Sequence, residues 1–245
     1  PAAILEKEIN GSVDYQYPYQ SQTFRDLINY CTRNHPWLTF GCDLALGSPS
    51  DREATQHEML FLPPYLKEAF SKATITGPDG TIRPLVSETH VIGGEADEPE
   101  KDIWDLFTPL VCAWLLFGIV LGFTWIEWRK KKYFLWVDCV LFSVAGAGGV
   151  ILFFLSFISV HPCTWPNWSL VWLQPLDLIA VILFCVKKLK KAAYYYHFIN
   201  FAALTLMLLG WYFIPQHLNS AFIPLVASIW VRSGWGVYRN IWRIG

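Results

Sequence analysis

The feature that most limits what this chain can fold into is a succession of apolar runs from about residue 105 onward, interrupted by short clusters of Lys and Arg. The runs cover 105–127, 133–159, 170–186, 195–214 and 221–238. A helix of about twenty residues, at ~1.5 Å per residue, matches a hydrocarbon core of ~30 Å. Such runs are expected to be helical because lipid offers backbone N–H and C=O groups no partner. The charges divide at the same place. Residues 1–104 carry 16 acidic and 8 basic side chains, whereas 105–245 carry 4 acidic and 11 basic ones. Twelve of the thirteen tryptophans also fall from Trp104 onward, most of them near the ends of the runs, as interfacial anchors would.

The basic clusters set a topology. Arg129, Lys130, Lys131 and Lys132 separate the first two runs; Lys187, Lys188, Lys190 and Lys191 separate the third and fourth; Arg239 and Arg243 follow the fifth. The alternate connections, 161–169 and 215–220, hold no Lys or Arg. This pattern predicts residues 1–104 outside, five crossings and a cytoplasmic C-terminus, in a bacterial inner membrane, since outer-membrane proteins are typically barrels. The expected fold is a membrane all-α bundle of five transmembrane helices (104–245), preceded by a partial, mainly helical α+β periplasmic segment (1–92) and an acidic linker (93–103). The chain opens on Pro1 without a signal-like segment, so it reads as starting partway through a longer protein, or as a processed or fused chain.

Within the first 92 residues, periodicity predicts helices over 2–9, 24–31, 51–61 and 64–70. A β-hairpin is expected from 73–76 and 81–92 around Gly77-Pro78-Asp79-Gly80. Gly146, Gly148 and Gly149 in the second run would let a neighbouring helix approach closely.

Two acids, Asp138 and Asp177, fall inside apolar runs, where a carboxylate needs a partner or a wet cavity. Gln174 shares a helix face with Asp177, and Pro175 frees a backbone carbonyl nearby. Either structural pairing or a substrate or proton site fits them. The loop HPCTWPNW (161–168) is a dense polar and aromatic cluster beside the membrane. His161 there can act as a base or a headgroup contact, or the loop can be a rigid anchor; His217 and Asn219 in the other outer connection could join the same site. Six cysteines show no metal spacing. Cys31 and Cys42 could form a disulfide, or either could be a nucleophile with His35 or His57 as base. Asn10 and Asn167 sit in glycosylation sequons that read as chance. No metal, cofactor or nucleic-acid motif is present, and no internal repeat is visible.

The stretch 34–63 (NHPWLTFGCDLALGSPSDREATQHEMLFLP), with Glu88-Thr89-His90 after it, resembles the C-terminal part of the Lnb N-terminal periplasmic domain. The loop HPCTWPNW and the five runs resemble the Lnb-like transmembrane domain. The family is named for a lipoprotein N-acyltransferase of Bacteroides-type bacteria. The resemblance implies transfer of an acyl chain from phospholipid to the α-amine of a lipoprotein's N-terminal cysteine, by a papain-like Cys–His pair. That pair is expected ahead of Pro1, so no catalytic residue is carried onto this chain. The resemblance also implies phospholipid and lipoprotein substrates, membrane lipids as partners, and no cofactor. His161, Trp165, Asn167, Gln174 and Asp177 are the expected substrate-facing residues. Two alternatives are a membrane-tethered papain-like cysteine hydrolase and a non-enzymatic membrane scaffold.

Overall fold

The computed structural model describes residues 2–9, 11–17, 20–90, 92–93 and 106–244, the last five of them as backbone only. Residues 94–103 of the expected linker, Trp104, the Asn10 sequon and the Trp242 and Arg243 side chains therefore lie outside the described residues. The chain groups into two compact units. One comprises 1–27 and 52–101; the other comprises 28–51 and 102–245.

The first unit holds helix α1 (Ala2–Glu8), strand β1 (Ser12–Asp14), the first turn of α2 (Phe24–Thr32), helix α4 (Pro63–Lys72) and strands β2 (Thr74–Thr76) and β3 (Ile82–Pro84). The strands form one antiparallel sheet in the order β1-β2-β3, with Val13 opposite Ile75 and Ile75 opposite Arg83. Two small clusters, Leu27, Ala54, Met59 and Leu62, and Ala2, Leu60 and Ala69, fill its interior. The helix expected over 51–61 is instead two 3-10 turns, Ser48–Asp51 and Glu58–Phe61. The segment between them is drawn into extended pairing: Thr23 bridges Glu53, and Ala54 donates its N–H to Gln22 O at 2.8 Å. A capping box then starts the second turn, Thr55 and Glu58 each accepting the other's backbone N–H.

The second unit is a helical bundle. α5 (Pro109–Lys130) starts with Thr108 Oγ1 accepting from Val111 N and Pro109 in the first turn. It ends at Lys131, in the left-handed region (φ 48°), whose N–H returns to Glu127 O. α6 (Leu135–Phe157), α7 (Leu176–Cys185), α8 (Lys190–Leu209) and α9 (Phe222–Ile244) follow. The closest packed pairs are α5 with α9, α9 with α8, and α6 with α7. Phe142, Leu152, Trp172, Leu204, Phe222 and Val226 form the core. Leu115, Ile119, Val144, Ile151 and Leu206 point outward, exposed. Such an outward apolar belt suits lipid as its solvent.

Four helical stretches, Pro109–Lys130, Leu135–Phe157, Trp168–Cys185 and Lys187–Leu209, are long and apolar enough to cross a membrane. α9 matches them in length, at 23 residues, and carries Arg232 and Arg239. The third run is not one continuous α-helix. A 3-10 turn (Trp168–Val171) precedes α7, because Pro175 has no N–H to extend the helix backward. α6 receives α7 through its glycines. A Cβ on Gly149 would stand 2.7 Å from Gln174 Cα, and one on Gly146 2.7 Å from Leu178 N. Both positions require the bare backbone.

Candidate functional site at the loop end of the bundle

α3 (Pro36–Ala45), a helix the periodicity did not reveal, belongs to the second unit and ends against the two connections that lack Lys and Arg. The last carbonyls of any helix lack intrahelical donors. Here two side-chain amides supply them. Asn167 Nδ2 donates to Leu44 O at 2.9 Å and Ala45 O at 3.2 Å, and Gln216 Nε2 donates to Leu46 O at 3.0 Å. Asn167 Oδ1 in turn accepts from Ser169 N at 2.9 Å and Gln216 Nε2 at 3.3 Å. Gln216 Oε1 accepts from Trp168 N at 2.8 Å.

Backbone pairing extends the seat. Gly47 N donates to Cys163 O, and Ser48 N to Pro166 O, each at 2.8 Å. Asp51 accepts from His217 N at 3.2 Å. Asp43, 2% exposed, accepts from Asn219 Nδ2 at 2.8 Å and from Asn29 Nδ2 at 3.3 Å. Residues 42–51 are thus laid across both loops, so the loop end of the bundle is a built surface. Beside the seat lies a cavity of about 340 Å³ lined by Asn29, Arg33, Thr39, Thr108, Leu110 and Asn219, among others. Arg33 is held at its rim by a hydrogen bond to Tyr30 O (2.6 Å) and by stacking over the Tyr30 ring.

The five expected substrate-facing residues occupy three settings. His161 and Trp165 are exposed in the loop, His161 hydrogen-bonded to Ser159 and Trp165 packed on Phe157 with ring centres 4.5 Å apart. Asn167 is buried in the seat. Gln174 and Asp177 lie inside the bundle. Asp177 accepts from Tyr196 Oη and from Gln174 N, while Gln174 Nε2 donates to Asn200 Oδ1 at 3.4 Å. Asn200 then donates to Ser233 Oγ at 3.0 Å. This polar ladder joins α7, α8 and α9. Asn219 lines the cavity; His217 contributes its backbone to the seat.

A second polar cluster lies toward the Lys- and Arg-rich end. Fully buried Arg232 on α9 donates to both oxygens of Glu127 on α5, at 2.8 and 3.3 Å, to Thr124 at 3.0 Å, and through Nε to Asp138 on α6. Tyr133 also hydrogen-bonds Asp138. Asp138 was visible in the sequence as an intramembrane acid, but its partner was missed. The available signal was Arg232 itself, the lone charge within the 221–238 run, which had to find a carboxylate.

The cysteines offer little chemistry. Cys31 and Cys42 are separate thiols, so the disulfide open to them is not formed. Burial, with Asp43 adding to it, pushes the Cys42 thiol up from its ordinary value, which disfavours the thiolate. Among the described residues no cysteine sulfur hydrogen-bonds a histidine; His57 instead bonds Tyr17 Oη at 3.2 Å and faces Glu6 at 3.8 Å.

The bundle, its outward apolar belt and its internally paired polar groups define a multi-pass helical membrane protein. A family model described as the Lnb transmembrane domain, and named for five transmembrane helices, matches residues 99–241. The chain belongs to that family. No curated protein and no solved structure matches it.

Proposed function

We propose that this chain is the membrane and adjoining extracytoplasmic part of an Lnb-type acyltransferase. It would move an acyl chain from a phospholipid to the N-terminal amine of a lipoprotein. Membership of the Lnb transmembrane family carries the reading, and the seat and cavity at the loop end support it. In this reading α9 is the fifth crossing, its Arg232 tolerated because Glu127 and Asp138 compensate the charge. The loop end faces the periplasm, and the Lys- and Arg-rich end the cytoplasm of a bacterial inner membrane. Residues 1–92 are the C-terminal part of a papain-like domain, of which 28–51 is the stretch that grips the helices. Residues 93–103 are the linker and 104–245 the transmembrane domain.

The chemistry is acyl transfer through a thioester. A thiolate attacks the phospholipid ester carbonyl; the C–O bond breaks, and the lysophospholipid oxygen takes a proton from a histidine. The lipoprotein α-amine then attacks the thioester, the C–S bond breaks, and the amine's proton passes to the histidine as the thiolate returns. The resemblance assigns both groups to an earlier part of the papain-like domain than the part it matches in this chain. The raised Cys42 thiol is consistent with that assignment.

The present residues bind and orient. Arg33 suits a headgroup phosphate. Asn29, Asn219 and the Thr39 and Thr108 hydroxyls suit ester and amide oxygens, with Leu110 below for an acyl chain. His161 and Trp165 are proposed to meet the two lipid substrates, while Asn167, Gln174 and Asp177 hold the surface in shape. Holding both lipids on one surface makes the encounter effectively intramolecular.

The test is deletion of the gene in its own bacterium, with mass spectrometry of lipoprotein N-termini. Loss of the N-linked acyl chain, restored by the full-length gene and reduced with Arg33→Gln, is the expected result. N-termini that keep their acyl chain after deletion would overturn the reading.

A further inference from the structure

At the opposite end of the bundle from the loop-end seat lies a larger cavity of about 980 Å³. Its distance from the seat follows from α6, whose 23 residues separate Leu135, on its wall, from the 161–169 loop by ~34 Å. Four cations line it, Lys187, Lys190, Lys191 and Arg239, and among the described residues no carboxylate does. Arg239 is stacked over the Tyr133 ring at 3.3 Å. Lys187 and Lys190 form no ion pair among the described residues and are exposed.

Three further observations narrow the ligand, two toward an anion and one toward a hydrocarbon chain. α8 begins at Lys190 without a side-chain cap and without an acid in its first turn, so its N-terminal N–H groups and dipole add positive potential there. His197, one α8 face further in at i+7 from Lys190, is 1% exposed, lines the cavity, and its Nδ1 has no hydrogen-bond partner among the described residues. Leu135, Leu183 and Phe184 supply an apolar wall. A cavity that is cationic at its mouth and apolar at its wall matches a group with one anionic head and a hydrocarbon body.

We propose that this cavity binds a phosphate ester, carried by an anionic phospholipid, with Lys187, Lys190 and Lys191 as the charge partners. The site is separate from the loop-end cavity and does not depend on the acyl-transfer reading.

Lys188 provides an internal control. It lies in the same basic cluster and does not line the cavity. The full chain, purified in a neutral detergent, is titrated with dioleoylphosphatidylglycerol, dioleoylphosphatidylcholine and glycerol 3-phosphate, and bound lipid is read by native mass spectrometry. The anionic lipid is expected to bind about tenfold tighter than the zwitterionic one. The combined Lys187→Gln, Lys190→Gln and Lys191→Gln variant should lose that preference. Lys188→Gln should stay within about twofold of the parent. Unchanged thermal midpoints in the variants, all at exposed positions, would show that folding is not the cause.

Equal binding of the two lipids would overturn the proposal. So would a Lys188→Gln loss as large as that of the combined variant, which would mean diffuse attraction to a basic surface. Glycerol 3-phosphate binding as tightly as the lipid would keep the phosphate site and overturn its assignment to a lipid.

Discussion

Arg232 on α9 and Asp138 on α6, 94 residues apart in sequence, form a fully buried ion pair that Glu127 on α5 completes. One guanidinium therefore bridges three helices, α5, α6 and α9. Replacing it leaves two carboxylates without their counter-ion in a low-dielectric setting. Arg232→Met should destabilise the bundle by about 3–5 kcal/mol, and Asp138→Asn should cost less because the amide still accepts from Arg232. Thermal unfolding in detergent measures both. Equal midpoints for parent and Arg232→Met would refute the bridging role.

Asn167 satisfies two carbonyls that α3 leaves open. Asn167→Ala strands both and is expected to loosen 42–51 by about 1–3 kcal/mol while leaving the helices in place. Hydrogen exchange should rise at 44–48 and stay unchanged in α5 and α6. Uniform exchange changes throughout the bundle would contradict a local role.

The α6–α7 contact separates two neighbouring glycines. Gly149→Ala drives a methyl into the Gln174 backbone and should cost at least about 1–3 kcal/mol, whereas Gly148→Ala meets only the Leu173 side chain at 3.4 Å and should be nearly neutral. If both variants melt alike, the backbone contact is not the determinant.

Glu58 gives an acid-sensitive turn. Its paired hydrogen bonds from Arg52, with the Thr55 N–H adding, hold its carboxyl down at about 2. A carboxyl held below its unfolded value contributes stability above that value, near 4.5, and loses it as pH falls toward about 2. Protection of 55–62 should decline across that window in the parent and be flat across it in Glu58→Gln, as followed by hydrogen exchange on acidification.

The membrane half was legible because hydropathy and charge are local signals. Runs of twenty apolar residues and clusters such as Lys187–Lys191 need no tertiary partner to be read, and the glycines of α6 announced a close neighbour. What failed was set by distant partners. Residues 51–61 have helical spacing, yet Thr23 and Gln22 pull 53–54 into extended pairing. β1 is three residues long, too short for any alternation to register, and exists through its pairing with β2. The seat is the extreme case. Asn167 and Gln216 are unremarkable loop residues until α3 offers its open carbonyls, and α3 itself carries a misleading pattern: its one buried residue is the polar Asp43, while Trp37 and Leu38 are exposed.

The seat also fixes an order of events in the making of the protein. Asp51 is paired with His217, 166 residues later in the chain. The segment that grips the loops is therefore synthesised well before the loops exist, and it has no native surface to rest on while α5 to α8 are being threaded into the bilayer. Its docking must be among the last steps of assembly. An expression boundary drawn in the acidic stretch near residue 100 would yield helices whose loop end never closes; one drawn ahead of Ile28 would keep the lock with its key.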